Sequence, residues 1–184
     1  MPRVWWLAML AVLATAPACK RKPPACNTVA NNAPAIPFSA GGAAPLLAGG
    51  AIADGVYHAT RAEGFNDAPA AGRRMTLQVS DHGRTFAWAG EVLDAAGKTV
   101  TAPVSANATV SVSGTWLAVT TTCPAEGPSP LPSTMVFTAT PTTLILAARD
   151  EQGTITSVTT YTRQIAGGPG FVHPPIPTEP KQPR

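Results

Sequence analysis

The sequence predicts an all-β protein: a single antiparallel up-and-down barrel of about eight strands, with a β-sandwich as the alternative. Three observations carry this. Short runs rich in Val, Thr, Ile, Leu and aromatic residues fill 51–165, separated by turn residues about every 8–12 positions, the spacing of a meander. No segment repeats its apolar residues every 3.6 positions, and Thr recurs at alternate positions, where a β-branched side chain suits a pleated surface and disfavours helix. A meander of this length also removes its unpaired edges by closing on itself.

The elements follow in order. The first run is 56–63. Residues 74–80 alternate, with Met75, Leu77 and Val79 on one face and Thr76, Gln78 and Ser80 on the other. Asp81-His82-Gly83 turns this run into 84–93, where Phe86 and Trp88 share a face. Residues 98–104 and 108–113 are two strands, or one long strand bent at 103–107. Gly114 leads into 116–122, with Leu117 and Val119 on one face. A Pro-rich loop, 123–132, precedes 133–139, which places Met135 and Phe137 together. The last runs are 143–149 and 154–163, joined by Asp150-Glu151-Gln152-Gly153.

Outside this domain the composition changes. Residues 19–50 are rich in Ala, Gly, Pro and Asn and hold no period, which reads as a tether and linker partly draped on the domain. Ile36, Phe38, Leu46 and Leu47 are its candidate contacts. Residues 166–184 contain six prolines and read as a disordered tail.

The chain has 13 basic and 10 acidic side chains, a net charge of +3. The excess sits at the ends, in Arg3, Lys20, Arg21, Lys22, Lys181 and Arg184, whereas 51–165 holds seven basic and nine acidic residues. A nucleic-acid-binding domain needs a basic footprint on its folded part, so nucleic acid is not an expected partner.

Residues 1–18 have the three-part layout of a signal peptide: basic Arg3, an apolar run from Val4 to Ala14, and small residues up to Ala18. The run is shorter than the roughly 20 residues of a membrane span. Two cleavage readings stay open. Ala16-Pro17-Ala18 fits an A-x-A site, releasing a secreted soluble protein. Ala16-Pro17-Ala18-Cys19 resembles the lipobox of bacterial lipoproteins, with Ala16 where Leu is usual; that resemblance implies lipidation of Cys19 and a membrane as partner. The three cysteines bear on the choice, because an exported protein leaves an odd thiol over unless something uses it. With lipid on Cys19, Cys26 and Cys123 remain as a disulfide pair in an oxidising compartment. Their bridge closes a loop of about 100 residues, which the loop-entropy account values at up to ~4.7 kcal/mol.

Two resemblances add to this reading. Gly55-Val56-Tyr57 at the first strand and Arg163 at the last resemble the lipocalin-like barrels, which open on G-x-W and pack a late Arg on that Trp; here Tyr57 replaces the Trp. Gly49-Gly50-Ala51-Ile52-Ala53-Asp54-Gly55-Val56-Tyr57, the Gly114–Pro124 stretch (Gly114-Thr115-Trp116-Leu117-Ala118-Val119, ending Cys123-Pro124) and Thr160-Tyr161-Thr162-Arg163 resemble a group of uncharacterised bacterial lipoproteins. That resemblance spans about 19–164. It implies an exported lipoprotein with a small β-domain and brings no activity with it.

No catalytic or metal-binding pattern is legible. His58, His82 and His173 lie far apart, and no H-x-x-x-H, C-x-x-C, G-x-S-x-G or phosphate loop occurs. Asn107-Ala108-Thr109 matches a glycosylation sequon. After the signal, Trp88, Trp116, Phe65, Phe86, Phe137, Tyr57 and Tyr161 either fill the domain or line a site for a small apolar ligand. The expectation is a non-enzymatic cell-envelope lipoprotein without cofactor or metal, anchored in the outer membrane. The alternatives are a lipocalin-like module for a small apolar ligand and an envelope hydrolase.

Overall fold

The computed structural model describes residues 26–65, 72–94, 96–100, 102–124 and 131–165. The expected signal peptide, Cys19 and the tail 166–184 lie outside the described residues. Nine strands form one sheet: β1 (Ile36–Ala40), β2 (Gly55–Gly64), β3 (Gly72–Ser80), β4 (Thr85–Leu93), β5 (Val104–Ser113), β6 (Trp116–Cys123), β7 (Thr134–Ala139), β8 (Thr143–Arg149) and β9 (Ile155–Gln164). No helix occurs among the described residues, so the all-β expectation stands.

The two-residue period of the sequence is what builds the sheet. Each strand from β2 to β9 pairs antiparallel with the next. The last returns to the first: β9 pairs with β2 from Val56↔Gln164 to Gly64↔Ser157, so these eight strands close in a ring. Bulges at Ala59/Arg61, Asn107/Ala108 and Ala148/Arg149 add local twist, which helps a sheet curl. Of the run 98–113, only Val104–Ser113 forms a strand, β5; before it, the described residues contribute an isolated bridge between Thr99 and Leu93.

One face of the alternation fills the ring. Tyr57, Leu77, Phe86, Leu117, Phe137 and Leu144 are all but fully buried in a single cluster. A smaller cluster, Val136, Ala147 and Val158, lies on the opposite face of β7–β9 with Leu47, Phe65, Ile145 and Ile155 against it.

The stretch read as a linker does more than drape. Asn27 and Asn31 bond to β4, β5 and β3. β1 then enters the sheet. β2 and β3 pair directly only from Gly55 to His58. Beyond that β1 stands between them, parallel to β2 (Phe38↔Ala62) and antiparallel to β3 (Ile36↔Arg73). The ring is thus eight strands around at one end and nine at the other. Ile36 and Phe38 join the core, as their apolar character suggests, whereas Leu46 is wholly exposed. The chain continues past Arg61, Ile145 and Val158 and bridges Thr138 of β7 through Gly49. Residues 26–50 therefore form a belt around the ring, with β1 built into the sheet.

Two glycines make the belt's exit feasible. Gly49 and Gly50 have φ of +71° and +123°, and a Cβ would lie 2.5 Å from the carbonyl oxygens of Gly114 and Ala139 respectively. Only glycine combines that backbone with so close an approach.

Candidate functional site

Cys26 and Cys123 are joined in a disulfide, with Cα atoms 5.5 Å apart. It ties the start of the belt to the last residue of β6. A polar lattice surrounds it. The Cys26 N–H donates to Ser105 Oγ at 2.9 Å, and the Asn107 amide donates to the Cys26 carbonyl at 2.9 Å. The Asn27 amide donates to the carbonyls of Trp88 and Ala106 and to Asn107 Oδ1. Asn107 sits at the β5 bulge with its amide engaged by the belt. Further along, Thr76, the one buried polar residue among those described, donates to Asn31 Oδ1 at 3.1 Å.

Two polar side chains stand out on the core face: Tyr161, past the middle of β9, and Arg73, at the nine-strand end of β3. Tyr161 on β9 is buried, its hydroxyl donating toward Met75 Sδ at 3.9 Å. Burial pushes its pKa up to about 12. The Arg73 guanidinium stacks 4.1 Å from the Phe38 ring centroid. Its Nε is buried without a hydrogen-bond partner, and desolvation lowers its pKa.

At the other end Tyr57 on β2 is the cross-strand partner of Arg163 on β9. A Cβ on Gly55, whose φ is +152°, would sit 2.7 Å from Arg163 Nε. Tyr57 is buried and its hydroxyl donates to the Ala53 carbonyl at 2.6 Å. Asp54 accepts from the backbone N–H groups of Gly83 (2.9 Å) and His82 (3.1 Å), and these bonds hold its carboxyl below the usual range. That clasp fixes the β3–β4 turn, where Asp81, His82 and Gly83 all have positive φ. Sequence reading took Asp81-His82-Gly83 as the whole of the turn and missed Asp54. The signal for it was the short acceptor side chain just before β2, whose partner lies 28 residues away. Beside this clasp an open groove of about 850 Å³ runs between Gly50–Asp54, His82–Arg84 and Val110–Val112.

The aromatics divide. Tyr57, Phe86, Phe137 and Tyr161 fill the ring and Trp88 packs against them. Phe65 joins the outer cluster. Trp116 is outside and 46% exposed, with the Arg149 guanidinium 4.8 Å from its ring. His58 lies on β2 with its pKa lowered by partial burial, His82 lies exposed at the turn, and His173 lies outside the described residues. No group of three or more metal-ligating side chains converges among the described residues.

Compared with protein-family models, with curated proteins and with solved structures, the chain matches none.

Proposed function

We propose that this protein is an exported, non-enzymatic lipoprotein of the bacterial cell envelope, held in the outer membrane by lipid on Cys19. Its role is structural or interactive. The observation that carries the reading is the Cys26–Cys123 bridge. It consumes two of three cysteines and calls for an oxidising compartment. Cys19 is then the one thiol left, directly after an apolar run and a small-residue stretch. A single acyl chain anchors only marginally, so the several chains of a bacterial lipoprotein are what would hold the domain.

We read the domain as a lipocalin-like up-and-down barrel. The continuous antiparallel order and the β2–β9 pairing support this, as does the meeting of Gly55, Tyr57 and Arg163. Large side chains from several strands fill the interior, which favours an interaction role over a small apolar ligand. The test is mass spectrometry of the full chain recovered from a bacterial membrane fraction. Cys19 should carry acyl chains, and Cys19→Ser should move the protein to the soluble fraction. An unmodified Cys19, or fractionation unchanged by the substitution, refutes the anchor.

A further inference from the structure

We infer that the disulfide dictates which end of the domain faces the bilayer: the nine-strand end, where β1 is inserted and Arg73 lies. This rests on the lipid-anchor reading of Cys19 and adds an orientation to it.

The argument is one of reach. Cys26 lies seven positions on from Cys19, and seven residues fully extended span at most about 25 Å. The bridge pins the far side of that tether to the end of β6, at Cys123. The Cys26 N–H is bound to Ser105, the second residue of β5. Both positions belong to the same end of the ring. The end of β2 (Gly64), the start of β3 (Gly72), the end of β4 (Leu93) and the end of β8 (Arg149) lie there too.

In the opposite pose the β5–β6 turn would approach the bilayer. From Ser105 to Ser113, β5 runs roughly 27 Å at a strand's rise per residue. With a barrel-like tilt of about 40° that is about 20 Å of height. The tether would then be stretched almost straight before the turn itself is counted. Lys20, Arg21 and Lys22 shorten it further. Each basic residue near an anionic surface is attracted there by ~1 kcal/mol, so drawing these three to the headgroups leaves less of the tether to span height. Only the nine-strand end is then within easy reach.

The far end follows by elimination. It carries the short connections 81–84, 114–115 and 140–142, the Asp54 clasp and its groove, and Ile165, where the described chain ends. These point away from the membrane. The disulfide is what makes the tether short. Without it, a belt fraying back to Ile36 would lengthen the tether from seven residues to seventeen and release the pose.

The experiment uses the full chain, lipidated in a bacterial host and reconstituted in vesicles of phosphatidylethanolamine and phosphatidylglycerol. A fluorophore is attached through Gln152→Cys, in the exposed β8–β9 turn, or Thr142→Cys, in the exposed β7–β8 turn. Energy transfer to a headgroup-labelled lipid should be severalfold greater from position 152 than from 142. The contrast should shrink in a Cys26→Ser/Cys123→Ser background. Equal or reversed transfer in acylated, vesicle-bound protein overturns the orientation while leaving the anchor standing. A contrast undiminished without the disulfide removes the role assigned to the bridge. A chain whose mass shows no acyl group overturns the anchor and the orientation with it.

Discussion

Gly50 and Gly97 both have positive φ, yet their surroundings differ. A Cβ on Gly50 would meet the Ala139 carbonyl at 2.5 Å, whereas one on Gly97 would meet open space. Gly97→Ala should therefore cost only backbone strain, ~1–2 kcal/mol. Gly50→Ala should cost clearly more, because the obstructing atom is backbone, the carbonyl at the end of β7. Urea denaturation of the two variants checks the order. Tyr161 supplies a pH signature. Its pKa is near 12 in the folded chain against an ordinary 10, so the folded state keeps a proton that the unfolded state gives up. Its contribution is fully present below pH 10 and is lost as pH rises from there through the folded value. Tyr161→Phe should flatten the alkaline fall in stability, measured by thermal melts across that range. Some slope should remain, since burial raises the pKa of Tyr57 as well.

Among the elements, the belt depends on its staple. Cys26→Ser with Cys123→Ser should cost about 2–5 kcal/mol, in line with loss of a native bridge in a small exported domain. The lost stability would appear as a lower urea midpoint, and reduction of the wild type should match it. An unchanged midpoint would mean the belt's hydrogen bonds suffice alone. Asn31 should matter similarly on a smaller scale. Asn31→Ala leaves the buried Thr76 hydroxyl without its partner, at about 1–3 kcal/mol. These elements were unequally legible in the sequence. β3 and the hairpin to β4 could be read directly, because Met75, Leu77 and Val79 alternate with polar residues up to a turn. The disulfide followed from counting cysteines. β1 was not legible as a strand. Ile36-Pro37-Phe38 is too short to show a period, and its pairing depends on a gap that opens only when β2 bends from β3. The clasp of Asp54 on the β3–β4 turn was hidden for a related reason: its chemistry is local, its partner distant.

For the whole molecule, closure is what turns a row of hairpins into one domain with one core. Every strand from β4 to β8 finds its neighbours next to it in sequence, but β2 and β9 must meet across about a hundred residues. Such pairing pays its loop entropy before it gains any contact. The ring therefore stands or falls with the β2–β9 register, which also brings Tyr57 to Arg163 and seals the interior around Phe86, Phe137 and Leu144. Backbone NMR of the disulfide-intact protein tests this directly. Cross-strand Hα and amide NOEs should connect Tyr57 with Arg163, Ala59 with Tyr161 and Ala62 with Thr159. Absence of these NOEs, with β2 and β9 amides exchanging as open sheet edges, would contradict the closed ring.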